Sequence, residues 1–420
     1  MNWLQQQWQL VSDQAWDRAL LIPAVALMVI GFIMISSASI DVAAINNLDP
    51  FYQSKRQGVF VLLGLIAMFV SLHIPIQFWQ KYGPVLMGLA ALSLLIVLVP
   101  GVGREVNGSV RWIPVGSFSL QPSEFAKVAV VTFMAGYLVR RQSEVRTTIA
   151  GFLKPMAVMM IFSGLLLLEP DFGATVVLMG AVIGMFFLGG MRKLHLVAVA
   201  LVLLPVVGAI AWFSPYRMQR LLTYLEPWQD PFGAGYQLTQ AQIAFGRGGW
   251  FGEGLGNSMQ KLFYLPEAHT DFVYSVLAEE WGAVGALAVV GLYAVLIVRG
   301  LRIGQMAERL QRPYAAYLCY GLVFLIAAQA VINIGVNLGL LPTKGLTLPF
   351  VSYGGSSMMA SATILGILLR ISLENSYLLT LVKRRLVDSQ RSQKENNYAD
   401  ELVSEPDFVN AEVSYGKSLS

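Results

Sequence analysis

Charge is scarce in this sequence of 420 residues, of which 13% are Asp, Glu, Lys or Arg and 56% are hydrophobic. A soluble globular protein carries charge at about a quarter of its positions, so the composition excludes that class and indicates an integral membrane protein. Cysteine is scarcer still: Cys319 is the only one, which excludes an internal disulfide framework.

Histidine is also rare, and the three residues, His73, His195 and His269, are scattered along the chain. Without cysteine partners they give little support to a structural zinc site. The net charge of +4 comes without a basic stripe interleaved with aromatic residues, so no nucleic-acid partner is expected.

Long apolar runs are what the sequence has instead. A run of about 17 to 25 residues can cross a bilayer, and we place such runs at 19–38, 57–74, 84–101, 124–139, 152–168, 173–190, 194–213, 272–298, 314–340 and 356–376. The predicted fold is an all-α integral membrane protein, a bundle of about ten transmembrane helices with a large structured extracytoplasmic loop.

The distribution of basic residues sets the expected orientation. Most of the 29 Lys and Arg fall on one side if the N-terminus is cytoplasmic, as the positive-inside rule requires. We therefore predict a cytoplasmic segment at 1–18, a ten-span domain at 19–380 with its large outer loop at 214–271, and a disordered cytoplasmic tail at 381–420. The first apolar run is too long for a cleaved signal peptide and is expected to act as an uncleaved anchor.

Four stretches with unusual chemistry lie on the predicted outer side. The first, "NGSVRWIPVGSFSLQPSEFAK" at 107–127, places Glu124 and Lys127 three residues apart on one helical face, where an ion pair can form. An unpaired charge in that position would be costly, so each residue needs the other or a bound polar group. A purely structural ion pair that holds two helices together is an equally good interpretation.

The second stretch is "EPDFG" at 169–173, a tight turn between two spans. Pro170 fixes φ, Gly173 permits the reversal, and the side chain of Asp171 can cap the next helix. Turn and cap chemistry explains this stretch better than a catalytic role.

The third stretch is the loop at 214–271, which is rich in glycine and proline yet too apolar for a flexible linker. We expect it to fold back on the bundle as a partly re-entrant segment. Its cations, Arg217, Arg220, Arg247 and Lys261, offer guanidinium and ammonium groups suited to an anionic ligand such as a pyrophosphate, although a solvated or headgroup-facing position explains any one of them as well.

The fourth stretch, "GLLPTKGLTLPFVSYGGSS" at 339–357, cannot form a regular lipid-facing helix. Non-helical backbone at membrane depth is tolerated only against protein or a watery cavity, so we expect a polar group to pass here, with Lys344 as the only cation of the stretch. A surface loop in the headgroup zone is the alternative.

Four carboxylates stand close together in "LPEAHTDFVYSVLAEEWG" at 265–282. Asp271 lies at the outer end of the eighth span, where it can serve as a general base or as an N-cap, and Glu267 can orient it from the loop. Glu279 and Glu280 follow within the span, which in a regular helix places them roughly 12 Å deeper, where we expect them to pair with a neighbouring helix.

The motifs "QPSEFAK", "EPDFGA", "GYQLTQAQIAFGRGG", "PEAHTDF" and "LPTKGLTLPFVSYGGSS", in this order along ten spans, resemble the SEDS family of peptidoglycan glycosyltransferases. The resemblance covers 18–380, and "PTKG" favours the cell-division branch over the elongation branch. It implies that the protein lies in the bacterial inner membrane at the division septum and polymerises lipid II, an undecaprenyl-pyrophosphate-linked disaccharide-pentapeptide.

The resemblance also implies roles for single residues and partners. Asp271 matches the family's catalytic aspartate, and Glu124 with Lys127 matches an acid and base that line its cavity, while His269 lies in the same motif as Asp271. The implied partners are the class B penicillin-binding protein FtsI and the FtsQ, FtsL and FtsB subcomplex. A divalent cation, Mg²⁺ or Mn²⁺, is compatible with the family, but the sequence shows no dedicated metal cage.

The reaction itself needs few protein groups. Joining sugars by a β1→4 linkage from an α-linked pyrophosphate inverts the anomeric carbon, so one in-line displacement suffices. It requires a base for the acceptor hydroxyl and cations for the pyrophosphate. The candidates for these cations are Arg217, Arg220 and Lys344. A lipid II flippase and a non-catalytic scaffold for division proteins remain the alternative functions.

Overall fold

The computed structural model describes residues 16–45, 49–106, 109–116, 118–192, 215–233, 235–262, 264–343 and 345–404, with isolated positions between 194 and 212. The described chain is mostly helical. It divides into two units, residues 1–373 and residues 374–420. All of the candidate site residues belong to the first unit.

Helices occupy nine of the ten predicted spans. They are α1 (Arg18–Ile45), α2 (Tyr52–His73), α3 (Ile76–Val97), α4 (Pro122–Arg140), α6 (Ile149–Leu168), α7 (Phe172–Leu188), α10 (Val273–Arg309), α11 (Pro313–Asn337) and α12 (Gly355–Ser404). The remaining prediction, 194–213, falls largely outside the described residues. The connecting helices are α5 (Gln142–Thr147), α8 (Pro215–Leu225) and α9 (Tyr236–Gly248), with a 3-10 turn at Pro227–Gln229.

Seven of the described helices are long and apolar enough to cross a membrane. Helix α7 has only 17 residues, and α4 includes the charged residues Glu124, Lys127 and Arg140. The multi-pass membrane class is therefore established, whereas the count of ten spans stays a prediction.

Helix α11 is the central element of the first unit. It packs against α10, α4 and α7 and is buried along most of its length. Helix α3 differs because Val85, Leu89 and Leu92 are exposed at helical spacing, as expected of a face that contacts lipid. The polar residues Asn333 and Asn337 of α11 are buried and so require hydrogen-bond partners.

A three-stranded antiparallel sheet corrects the all-α expectation. Strands β1 (Arg104–Val106), β2 (Ser109–Val115) and β3 (Phe118–Leu120) pair in the order β1-β2-β3. Strand β2 reads "SVRWIPV", a sequence rich in the β-branched and aromatic residues that favour strands. The segment is too short for a span, and its strand β2 carries Arg111.

Helix α10 is interrupted at Gly282, whose φ of 68° and ψ of −171° are not helical. The loop after α9 fills the break, because Ala283 N donates to Gly249 O at 2.9 Å and Gly254 N donates to Glu280 O at 3.1 Å. At Gly252, with φ of +80°, an added Cβ would lie 2.1 Å from Glu280 O. This close approach of two backbones requires glycine.

Helix α12 continues past Arg385 to Ser404, where the sequence predicts a disordered tail. Side chains are exposed throughout residues 382–394, a run rich in the good helix formers Arg, Leu, Gln and Lys. Residues 405–420 lie outside the described part of the chain.

Candidate active site

A tight turn immediately before α10 carries Asp271. The main-chain oxygen of Glu267 accepts from Thr270 N at 3.1 Å and from Phe272 N at 3.3 Å, with Glu267 at a positive φ of 59°. The Glu267 carboxylate also accepts from Thr270 Oγ1 at 2.7 Å. Glu267 thus shapes the turn that presents Asp271.

Two asparagines of α11 hold this turn in place. Asn333 Nδ2 and Asn337 Nδ2 each donate to the main-chain oxygen of Asp271 at 2.9 Å. Asn333 Nδ2 also donates to Leu346 O at 2.6 Å. Helix α11 therefore brings the Asp271 turn and the "TKGLT" segment together, and neither asparagine was singled out in the sequence.

The structure places the N-cap of α10 one residue after Asp271. This N-cap residue is Phe272, whose own side chain makes no capping hydrogen bond. The first-turn amide of Ser275 instead donates to Asn337 Oδ1 at 3.1 Å. Asn337 therefore supplies, from another helix, the partner of an amide in the first turn of α10.

Arg111 lies near Asp271, and sequence reasoning missed it. A Cβ built on Gly345 would lie 3.4 Å from Asp271 Oδ2 and 4.0 Å from Arg111 Nη1. Arg111 is held by two carbonyls of the "EPDFG" turn, because its Nε donates to Glu169 O at 3.1 Å and its Nη2 to Pro170 O at 2.5 Å. The only sequence signal was an arginine in the compact segment "RWIP".

The predicted cap at the "EPDFG" turn is confirmed. Asp171 Oδ1 accepts from Ala174 N at 3.1 Å in the first turn of α7. Asp171 Oδ2 accepts from Ser123 Oγ at 3.1 Å and from Gln121 Nε2 at 3.3 Å. Asp171 therefore joins the start of α4 to the start of α7.

Glu169 is fully buried, and neither oxygen of its carboxyl group has a hydrogen-bond partner among the described residues. Burial raises the pKa of Glu169 from its ordinary value of 4.5 to about 8; the negative charge of Asp171 adds to this rise and Arg111 opposes it. Glu169 is therefore largely neutral at pH 7, which makes its burial tolerable.

Glu124 and Lys127 form the predicted ion pair. Lys127 Nζ lies 2.9 Å from Glu124 Oε1, and their side chains are 7% and 2% exposed. Both residues lie in α4, so the pair does not join two helices. The burial of two opposite charges makes each one necessary to the other.

His269 packs beside the "VSYGG" segment. Its ring makes an edge contact with that of Tyr353 at 5.6 Å between centroids, and Tyr353 N donates to its main-chain oxygen at 3.0 Å. Burial lowers the pKa of His269, with Glu267 opposing the shift. The imidazole is therefore neutral at pH 7.

Three predicted cations cannot be placed. Lys344 and the side chains of Arg217 and Arg220 lie outside the described residues, so their roles stay predictions. Among the described residues, no three His, Cys, Asp or Glu side chains are grouped as a metal site.

Glu280 has one partner in the large loop, Lys261, and one in helix α1, Ser37. Lys261 Nζ lies 3.1 Å from Glu280 Oε1 and donates to Ser37 Oγ at 2.9 Å. Ser37 Oγ in turn donates to Glu280 Oε1 at 2.6 Å. This buried cluster anchors the large loop to α1, as a segment folded back on the bundle should be.

Glu279 serves the same loop. Its carboxylate accepts from Ser258 Oγ and from the amides of Met259 and Gln260, both at 3.2 Å. Arg247 Nε of α9 lies 3.2 Å from Glu279 Oε1. The expectation that Glu279 pairs with a neighbouring helix is thus only partly correct, because loop residues are its other partners. Arg247 and Lys261, which the sequence offered for an anionic ligand, instead pair with Glu279 and Glu280.

Known proteins of one family are similar to this chain over most of its length. The FtsW/RodA/SpoVE family model, described as a cell cycle protein, matches residues 18–377. The chain is 52% identical over 386 residues to the probable peptidoglycan glycosyltransferase FtsW of Pseudomonas fluorescens (strain SBW25), covering 92% of this chain and 93% of that protein. It is 54% identical over 361 residues to the protein of the same name from Nitrosococcus halophilus (strain Nc4), covering 86% and 93%.

Solved structures agree with these relatives. A chain from a peptidoglycan synthase complex, described as coordinating polymerization and crosslinking, superposes with a TM-score of 0.71 at 31% identity and covers 86% of this chain and 98% of that one. The rod shape determining protein RodA of Thermus thermophilus gives a TM-score of 0.64 at 30% identity, with coverage of 85% and 97%.

Proposed function

The chain belongs to the FtsW/RodA/SpoVE family of cell cycle proteins, and on that premise we propose that it polymerises lipid II into glycan strands with Asp271 as the general base. Like the relatives named for this activity, it is a peptidoglycan glycosyltransferase. The observation that carries the proposed role of Asp271 is its placement, with the main chain held by Asn333 and Asn337 and the carboxylate beside Gly345 and Arg111.

The proposed step is a single displacement. Asp271 takes the proton of the acceptor hydroxyl as that oxygen bonds to the anomeric carbon of the donor sugar. The bond from this carbon to the pyrophosphate oxygen breaks at the same time, and the undecaprenyl pyrophosphate leaves with the bonding electrons. A pyrophosphate is stable as an anion, so the step needs cations around the leaving group rather than an acid.

A fixed main chain favours this role for Asp271. Two hydrogen bonds to one carbonyl oxygen restrict the turn, and a base that is already positioned loses little entropy when the acceptor binds. General base catalysis contributes about 10²- to 10⁴-fold to a rate, which sets the effect that a substitution should have.

A divalent cation, Mg²⁺ or Mn²⁺, is proposed only as an ion held mainly by the substrate. Mg²⁺ is commonly held by one or two carboxylates together with substrate phosphates, and the described residues offer no cage of three or more such ligands. A role for Mg²⁺ or Mn²⁺ therefore remains a proposal that rests on the substrate's own phosphates.

We also propose the membrane, the orientation and the partners with which the protein carries out this reaction. The protein is placed in the bacterial inner membrane at the division septum, with segment 1–18 and tail 381–420 in the cytoplasm and loop 214–271 outside. The similar chain that belongs to a peptidoglycan synthase complex supports a cross-linking partner, and we assign that place to the class B penicillin-binding protein FtsI, with FtsQ, FtsL and FtsB as further partners.

The test uses the purified full chain in proteoliposomes, with and without the FtsI partner. Radiolabelled lipid II is supplied, and both glycan strands and movement of the headgroup across the membrane are measured. Strand formation on the outer side supports the proposal. Headgroup movement without strands would favour the flippase, and neither activity in either preparation would favour the scaffold.

A further inference from the structure

Arg111 of β2 is a cation of the candidate active site. Its side chain is anchored through Nε and Nη2 to the carbonyl oxygens of Glu169 and Pro170, and these two bonds fix the plane of the guanidinium group. The third nitrogen, Nη1, makes neither of these bonds. It lies 4.0 Å from the position that a Cβ on Gly345 would take, and Asp271 Oδ2 lies 3.4 Å from the same position.

We propose that Arg111 Nη1 binds the pyrophosphate of the lipid-linked donor and neutralises the negative charge that develops on it as the glycosidic bond forms. This assignment rests on the proposed polymerisation of lipid II, and it adds the residue that receives the leaving group. No covalent bond to Arg111 forms, and its proton stays on the guanidinium group.

The charge of Arg111 is available for a ligand. Its partners in the described structure are two neutral carbonyls, and no carboxylate of the described residues lies within 4.0 Å of it. The nearby carboxylate of Asp171 is already engaged by Ala174, Ser123 and Gln121. A fixed and uncompensated guanidinium group favours an oxyanion, because charge-assisted hydrogen bonds to phosphate are strong and geometrically specific.

The burial of Glu169 supports the same conclusion. An ionised Glu169 carboxylate would offset the charge of Arg111, whose electrostatic effect reaches it. Because the buried Glu169 carboxyl group is without hydrogen-bond partners among the described residues, its neutral form is favoured. The "EPDFG" turn therefore supports Arg111 through main-chain dipoles without neutralising it.

Gly345 keeps the space beside both groups open. In the described structure, the atoms within 4 Å of its Cβ position, apart from its chain neighbours, are Asp271 Oδ2 and Arg111 Nη1. A side chain at this position would occupy space that the reacting groups need. Gly345 therefore provides a way to block the site without disturbing the anchor of Arg111.

The experiment measures binding separately from turnover. The full chain with Asp271→Asn serves as the background, so that ligand is not consumed, and displacement of a fluorescent lipid II is followed. The competing ligands are undecaprenyl pyrophosphate, undecaprenyl monophosphate and phosphatidylglycerol. Arg111→Gln is compared with Arg111→Lys and with Arg104→Gln, which removes an exposed charge from the same sheet.

We expect Arg111→Gln to weaken undecaprenyl pyrophosphate binding about 10- to 100-fold, as the loss of a charge-assisted hydrogen bond implies. Monophosphate and phosphatidylglycerol binding should change less than about two-fold, and Arg111→Lys should recover part of the loss because it keeps a positive charge. Arg104→Gln should bind all three ligands as the background does.

Unchanged pyrophosphate binding in Arg111→Gln would overturn the proposal, and so would an equal loss for all three ligands. If Arg111→Gln does not fold, Gly345→Leu tests the proposal in its place, because this substitution does not remove the two bonds that anchor Arg111. Weaker pyrophosphate binding by Gly345→Leu supports the proposal, and unchanged binding overturns it. Polymerisation by the Asp271→Asn background would contradict the proposed base and not the role of Arg111.

Discussion

Asn333 Nδ2 lies 2.9 Å from the main-chain oxygen of Asp271, and the two residues are 62 positions apart in the chain. The same nitrogen donates to Leu346 O at 2.6 Å. One buried amide of α11 thus fixes the distance between the main chain at Asp271 and the segment that contains Gly345. The account of the active site depends on this link.

Asn333→Ala should lower the polymerisation rate at least about ten-fold while lipid II binding changes little. The substitution leaves the carbonyls of Asp271 and Leu346 without this donor, and an unsatisfied buried group costs about 1–3 kcal/mol. Polymerisation and thermal unfolding of the purified variant are measured together.

Gln329→Ala is the matched control, because the Nε2 of this buried residue of the same helix makes no hydrogen bond in the described structure. Equal rates for Asn333→Ala and the parent protein would show that the asparagine does not position Asp271.

Lys127→Gln should destabilise the protein more than the double change of Glu124→Gln with Lys127→Gln. The two charges lie 2.9 Å apart and are almost fully buried, and removing one partner of such a pair costs about 3–5 kcal/mol because the other charge is stranded. Replacing both partners leaves no charge behind. Equal unfolding temperatures for the single and double variants would mean that the pair is not energetically coupled.

Gly252→Ala should destabilise the protein more than Gly256→Ala. Both glycines have a positive φ, +80° and +85°, so both variants carry backbone strain. At Gly252 the new Cβ also meets Glu280 O at 2.1 Å, whereas nothing lies within 4 Å at Gly256. Overpacking adds about 1–3 kcal/mol, measurable as a lower unfolding temperature; similar losses at the two positions would contradict the docking of this loop in the α10 break.

Glu169→Gln should remove one source of pH dependence. The pKa of Glu169 is raised to about 8 in the folded protein, so its contribution to stability is full below 4.5 and is lost as the pH rises to about 8. Asp171 and Arg111 are the charged groups that act on it. Unfolding temperatures of the parent and variant should therefore agree near pH 4.5 and diverge in favour of the variant up to pH 8.

Glu253→Gln controls for the loss of an exposed carboxylate and should show no such divergence. A constant difference between Glu169→Gln and the parent protein at every pH would show that the pKa of Glu169 is the same in the folded and unfolded protein.

Local features were predictable from the sequence. Apolar runs gave helices at nine of ten spans because a chain in lipid must satisfy its backbone hydrogen bonds within each helix. The Asp171 cap and the pair of Glu124 and Lys127 followed from spacings of three residues. These interactions depend on helix geometry alone.

Interactions between distant segments were not predictable. Arg111 reaches Glu169 across 58 positions and Lys261 reaches Ser37 across 224, and no periodicity in one sequence encodes such pairs. The break at Gly282 was missed because the surrounding run reads as one continuous apolar helix. The sheet was missed because strands of three to seven residues are too short to outweigh the apolar runs beside them.

The most direct test of the account is the polymerisation rate of Asp271→Asn with labelled lipid II, beside Glu253→Gln as an exposed carboxylate control. Asparagine keeps the shape of the side chain and the main-chain bonds to Asn333 and Asn337 but cannot accept a proton. We predict a loss of at least about 100-fold, with lipid II binding and unfolding temperature close to those of the parent protein and full activity in the control. Polymerisation at the parental rate by Asp271→Asn would contradict the assignment of Asp271 as the base.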